Sequence, residues 1–204
     1  MELDDMKLAW AELDRRVASL EVATAVRGAV TGVRAELRPL RWGQAMQAVL
    51  GLVFAIAAGA FWFDHREAPG PLVAGLLLHA YGLSMVIAAV RNLVLAARAS
   101  DDAPVVALQR RVAELRAWRL REGRWFGIVG CFMWVPMIVW AFALLGVDIV
   151  AVRPGFIALN LLVAAVCLAA YLIVARRVKM PEGAAVRRAQ ARLDEVARFT
   201  GGGM

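Results

Sequence analysis

The sequence predicts an all-α polytopic membrane protein: four transmembrane helices as two hairpins, with amphipathic cytoplasmic helices at the N-terminus, in the middle loop and at the C-terminus. Three observations carry this prediction. Of 204 residues, 61% are hydrophobic, and the mean hydropathy is +0.62, whereas a soluble domain is apolar in about half of its residues. Four apolar runs reach the length of about 20 residues that a bilayer core requires. Of the 24 Lys and Arg residues, 21 gather in three segments beside those runs.

The opening "MELDDMKLAW AELDRRVASL" places Leu3, Met6, Trp10, Leu13, Val17 and Leu20 at steps of three and four. This is the heptad seam of a coiled coil, and such a seam wants a partner helix. The phase breaks after Leu20 and resumes at Val26, Val30, Val33, Leu37 and Leu40, with Gly28 and Gly32 at the junction. Glycine in a helix costs about 1 kcal/mol relative to alanine, so the pair marks either a bend near 28–32 or a close helix contact. Residues 1–41 are read as this cytoplasmic helix. Two partners fit the seam: the protein's own loop helices, or a separate protein or second copy.

The four spans are Gly43 to Phe63, Leu72 to Ala96, Trp125 to Gly146 and Gly155 to Ala175. They divide the remainder into a first transmembrane hairpin (42–98), a cytoplasmic helix (99–123), a second hairpin (124–176), and a C-terminal helix with a flexible tail (177–204). Seven Lys or Arg residues precede the first span, seven lie between Arg98 and Arg124, and seven follow from Arg176. The two short loops carry one each, Arg66 and Arg153. Positive charge stays on the cytoplasmic side, which puts both termini and the middle loop there. Trp42 and Trp125 at one boundary and Trp62 at the other suit headgroup depth. Shifting the chain by 83 positions superposes Arg27 on Arg110, Arg41 on Arg124, Trp42 on Trp125 and Pro71 on Pro154, as a duplicated hairpin would.

The middle segment has an apolar face of Val105, Leu108, Val112 and Leu115, with Asp101 and Asp102 as candidate caps and Pro104 in the first turn. The C-terminal one has Val186, Ala189, Leu193 and Val196 before "TGGGM". Residues 1–27 hold six acidic and four basic side chains, whereas residues 110–124 hold six Arg and two Glu. An anionic leaflet attracts the basic helices and repels the acidic one, so the N-terminal helix is expected to project into the cytoplasm.

The segment "LDDMKLAWAELDRR" followed by four spans resembles an uncharacterised bacterial family of small four-span membrane proteins that begin L-D-[DE]-[LM]-K-x-A-W-x-x-L-D. The resemblance covers the motif, the span layout and the length. It implies a multi-pass protein of the bacterial inner membrane and gives no residue a catalytic or ligand-binding role.

Polar groups inside lipid are functional candidates because their exposure there is costly. His79 in the second span and Asn160 in the fourth are expected to make interhelical hydrogen bonds, on the stripes Gly75, His79, Gly82, Ala89 and Asn160, Ala164, Cys167, Tyr171. Pro136 removes a backbone donor and is expected to kink the third span. Arg91 is expected to snorkel to the headgroups. Cys131 and Cys167 lie within apolar runs and form no metal or disulfide pattern. No Gly-x-Ser-x-Gly elbow, HExxH pair, phosphate-binding glycine loop or kinase catalytic loop occurs, so the expectation is a non-enzymatic protein with no cofactor or metal. Nor does a DNA- or RNA-binding module accompany the basic charge. The favoured class is a membrane interaction, regulatory or scaffold protein whose cytoplasmic helices dock a partner or second copy. The alternative is a small oligomeric transporter or channel, against which stands the absence of Asp and Glu from all four spans.

Overall fold

The computed structural model describes residues 2–99, 105–177, 186–191 and 194; for residues 2–4, 22, 25, 26, 29, 30 and 105 it describes the backbone alone. The expected caps Asp101 and Asp102, Pro104, and the apolar positions Leu193 and Val196 lie outside the described residues, as does the "TGGGM" tail. Five helices follow in order: α1 (Glu2–Asp64), α2 (Pro69–Arg98), α3 (Val105–Leu144), the single turn α4 (Ile149–Val152) and α5 (Pro154–Arg177). No strand occurs among the described residues.

Four helices are long and apolar enough to cross a membrane: Thr31–Asp64 within α1, Pro69–Arg98, Val106–Leu144 and Pro154–Arg177. Helix is the natural state of such runs, because each backbone N–H and C=O finds its partner inside the segment and none is left to hydrocarbon. Their outward surfaces are apolar. Val49, Leu50, Leu52, Val53 and Ile56 on α1, and Leu159, Leu162, Val166 and Ile173 on α5, are all exposed. Contiguous apolar surface of this kind marks an interaction with lipid or protein rather than with water.

Helix ends follow local chemistry. Both α2 and α5 begin on proline, Pro69 and Pro154, whose fixed φ and missing N–H suit the first helical position. The end of α3 differs from the sequence expectation. The apolar run continues to Gly146, but the helix stops at Leu144, because Gly146 turns left-handed at φ +77°. Gly146 N–H then donates to the Ala143 carbonyl at 2.9 Å and Val147 N–H to that of Phe142 at 3.0 Å, capping two orphan carbonyls. Asp148 at once starts α4, its carboxylate accepting from Val150 N–H at 3.1 Å and Ala151 N–H at 3.3 Å.

The chain divides into two compact units. The first contains Met1–Leu40, Leu95–Arg116 and Gly183–Met204. Among the described residues its buried apolar side chains are Val33 and Leu37 on α1, Leu95 and Ala96 at the end of α2 with Ala99 just beyond it, Leu108, Val112 and Leu115 on α3, and Val186 and Ala189. Arg188 Nε donates to Glu36 Oε2 at 2.7 Å, tying the C-terminal segment to α1. The boundary at Leu40 falls one residue after Pro39, where α1 lacks the N–H that would meet the Ala35 carbonyl.

The second unit contains Arg41–Val94 and Ala117–Glu182. Here α1 and α2 touch backbone to backbone: a Cβ on Gly82 would lie 3.0 Å from the Ala55 Cα and N. Small residues permit this approach, and dispersion at short range is what holds apolar helices together in lipid. Toward the α3–α5 connection, Ala74, Val139 and Ile149 form a buried cluster against Phe142, Val150 and Ile157. Gly82→Val should therefore loosen the α1–α2 contact by about 1–3 kcal/mol. Gly43→Ala meets nothing within 4 Å and should be neutral or stabilising by a few tenths of a kcal/mol to about 1 kcal/mol. Unfolding of each variant in detergent by SDS titration measures both.

Candidate functional site

Two features stand out: an apolar helix face outside the apolar spans, and a polar knot at their ends. On α1, Met6 is 56%, Trp10 62%, Leu13 55%, Val17 47% and Leu20 64% exposed. Leu3 continues the seam in the backbone; its side chain lies outside the described residues. Thirteen residues beyond Leu20, Val33 is fully buried, and so is Leu37. The same helix thus carries one apolar face that the protein covers and one that it leaves open. The flank and outer face of the seam carry charge. Arg16 Nε meets Glu12 Oε1 at 3.0 Å and Arg15 reaches the other Glu12 oxygen at 3.8 Å, pairs that are worth little in water. The helix assignment runs without a break through Gly28 and Gly32; the side chains of Val26 and Val30 are outside the described residues.

The polar knot centres on Asn92, which is 0% exposed, beside Gln44 at 7%. Asn92 Nδ2 donates to Gln44 Oε1 at 2.9 Å and to Glu122 Oε2 at 2.6 Å, joining α1, α2 and α3 through one amide. Its orientation is forced: turned over, the amide would set Oδ1 against two other acceptors. Gln44 in turn donates to Gln47 Oε1 at 3.2 Å. Asn92 Oδ1 is buried and accepts no hydrogen bond. Next door, the Arg91 guanidinium carbon lies 3.7 Å from the Trp118 ring centroid, a cation–π contact that holds the head of the expected snorkelling residue. Trp118, Arg121, Glu122, Trp125, Phe126 and Ser84 line a recess of about 250 Å³ there.

Sequence reasoning missed this knot. Of the amides in the spans it singled out Asn160 and passed over Gln44 and Asn92, which lie near span ends, and Glu122 stands before the third span. An amide at the start of the first span and another near the end of the second was the available signal.

His79 and Asn160 sit elsewhere. His79 Nδ1 lies 2.7 Å from the Ala55 carbonyl, and since a carbonyl only accepts, Nδ1 carries the proton. Gly59 makes room for the ring: a Cβ there would stand 3.1 Å from His79 Nδ1. Asn160 is buried and gives its Nδ2 to the Phe156 carbonyl of its own helix at 2.7 Å. Pro136 is buried, and lines a groove of about 580 Å³ with Val73, Leu77, Phe132, Val139 and Leu161; α3 continues as helix past it. Cys131 donates to the Gly127 carbonyl at 3.2 Å and Cys167 is exposed. Among the described residues, no three His, Cys, Asp or Glu side chains come together as a metal cage would require.

Asn92→Leu should cost more than substitution of His79 or Asn160, about 1–3 kcal/mol, because it strands the buried Gln44 oxygen and a carboxylate oxygen together. His79→Leu should cost about 0.5–2 kcal/mol and Asn160→Leu less, since its bond is to its own helix. SDS-titration stability ranks the three, and a transport role requires instead that His79→Leu or Asn160→Leu abolish flux in a folded protein. No family model, curated protein or solved structure matches the chain.

Proposed function

We propose that this chain is a membrane-anchored interaction or scaffold protein of the bacterial inner membrane, whose four spans hold a cytoplasmic N-terminal helix available for docking. The observation that carries this reading is the seam itself: five large apolar side chains at heptad spacing, each roughly half exposed or more. Burying one such side chain gains about 1.5–3 kcal/mol, so five on one face constitute a strong demand for a partner helix. The non-enzymatic part of the reading rests on the lack of a catalytic motif in the sequence. The hairpin arrangement is supported by the Gly82–Ala55 approach in the first pair and, in the second, by Tyr171, whose hydroxyl reaches the Gly123 carbonyl at 3.5 Å.

Cytoplasmic termini follow from the alternation of Arg-rich and Arg-poor segments. A phosphatase reporter that works only outside the cytoplasm should be silent when fused after Met204 and active at Ala68; the reverse pattern overturns the topology.

Docking is tested within the seam. Leu13→Asp should abolish partner capture or self-association, because an unpaired charge in a buried interface is costly, while Glu12→Lys on the solvated face should change it by less than about 1 kcal/mol. All four spans should still insert in both variants. Crosslinking in membranes, with protease protection of residues 1–27, reads the outcome; unchanged contacts in Leu13→Asp would remove the seam from the function.

A further inference from the structure

We infer that the occupant of the seam is a second copy of this chain, paired with the first in parallel and in register through residues 3–24. This rests on the reading of the N-terminal helix as a docking element and names its partner. The heptad count places Leu3, Trp10 and Val17 at a, and Met6, Leu13 and Leu20 at d. Residues beside the seam then fall at g (Glu2, Ala9, Arg16) and at e (Lys7, Asp14, Glu21).

In a parallel pair, each g position faces the e position five residues on in the other helix. Glu2 then meets Lys7 of the second copy, Arg16 meets Glu21 of the second copy, and Ala9 meets Asp14 of the second copy. Both charged pairs are of opposite sign and no like-charged pair arises. The two-fold repeats each pair, so the surface is complementary to itself, as an isologous interface must be. Arg16 and Glu21 are both exposed, and Arg16 needs only to exchange its exposed intrahelical partner Glu12. In the last heptad, Val17 at a with Leu20 at d is the pattern that favours two strands.

Length is the objection, since about three heptads are marginal as an isolated coil. Anchoring answers it. Copies inserted in one bilayer share the same sense of insertion, and confinement raises the effective concentration of one helix about the other.

The test uses the full-length chain in membranes with Cys131→Ala and Cys167→Ala as background. Leu13→Cys, a d position that faces its own symmetry mate, should form a disulfide-linked dimer under mild oxidation, about tenfold more than Glu12→Cys on the outer face. In the Leu13→Cys background, Arg16→Glu alone and Glu21→Arg alone should each cut the dimer about tenfold, having turned two attractions into repulsions. Co-expressing the Arg16→Glu chain with the Glu21→Arg chain should restore the dimer as the mixed pair. The inference is overturned if Leu13→Cys links no better than Glu12→Cys, or if the mixed pair fails to recover. If self-linking is absent yet Leu13→Asp releases a different bound protein, docking stands and the second copy falls. Should Leu13→Asp release nothing, both fall together.

Discussion

Backbone polarity constrains everything else in this molecule. Hydrocarbon offers no partner for an N–H or a C=O, so each apolar run must close its own hydrogen bonds as a helix, and side chains alone are left to associate the helices. Apolar side chains gain little from leaving lipid for one another. What remains is close packing and a small number of polar ties, and both are visible here. Gly82 lets the backbone of α2 come to Ala55 on α1. Gly59 opens the Ala55 carbonyl to His79. Asn92 gathers Gln44 and Glu122 from two other helices. The first rests on a missing side chain, the third on polar ones, and the His79 contact on both.

The spans were legible because length and apolarity are local properties that need no tertiary context. Their ends were less so. The third span overshot by two residues because Leu145 and Gly146 continue the apolar run while Gly146 turns the backbone left-handed, and hydropathy contains no information on φ. The turn α4 follows from one capping carboxylate, Asp148, too short a signal to separate from loop. His79 was legible as an ionisable group in a span, but its acceptor is a backbone carbonyl, which every residue has. Only the register between α1 and α2 selects Ala55. The Asn92 knot escaped for the same reason: three ordinary residues, separated by 48 and 30 positions, become a site when helix packing sets them at one level.

The two faces of α1 show how one period serves two purposes. Val33 and Leu37 are buried inside the compact unit formed with the neighbouring segments of α2, α3 and the C-terminus. Met6, Trp10, Leu13, Val17 and Leu20 repeat with the same spacing and stay exposed. Periodicity therefore reports that a face is made for burial without reporting where its complement lies. Composition beside the face is the better guide. Beside the seam stand Ala9 and Arg16 on one edge and Lys7, Asp14 and Glu21 on the other, leaving a narrow apolar stripe with mixed charge at its edges, as in a two-helix contact.

A stripe of this length suits an anchored protein better than a free one. In solution, the cost of bringing two chains together would exceed what about three heptads return. Held in a bilayer, copies have already lost most of that freedom, and a contact too weak for solution becomes sufficient. Occupancy of the inferred contact would rise with the density of the protein in the membrane, and the charge at its edges would make it sensitive to ionic strength in a way that the apolar spans are not. On this proposal the separation of labour follows from the solvents: lipid sets where the four long helices stand, and water, by excluding Trp10 and Leu13, sets what the N-terminal helix must find.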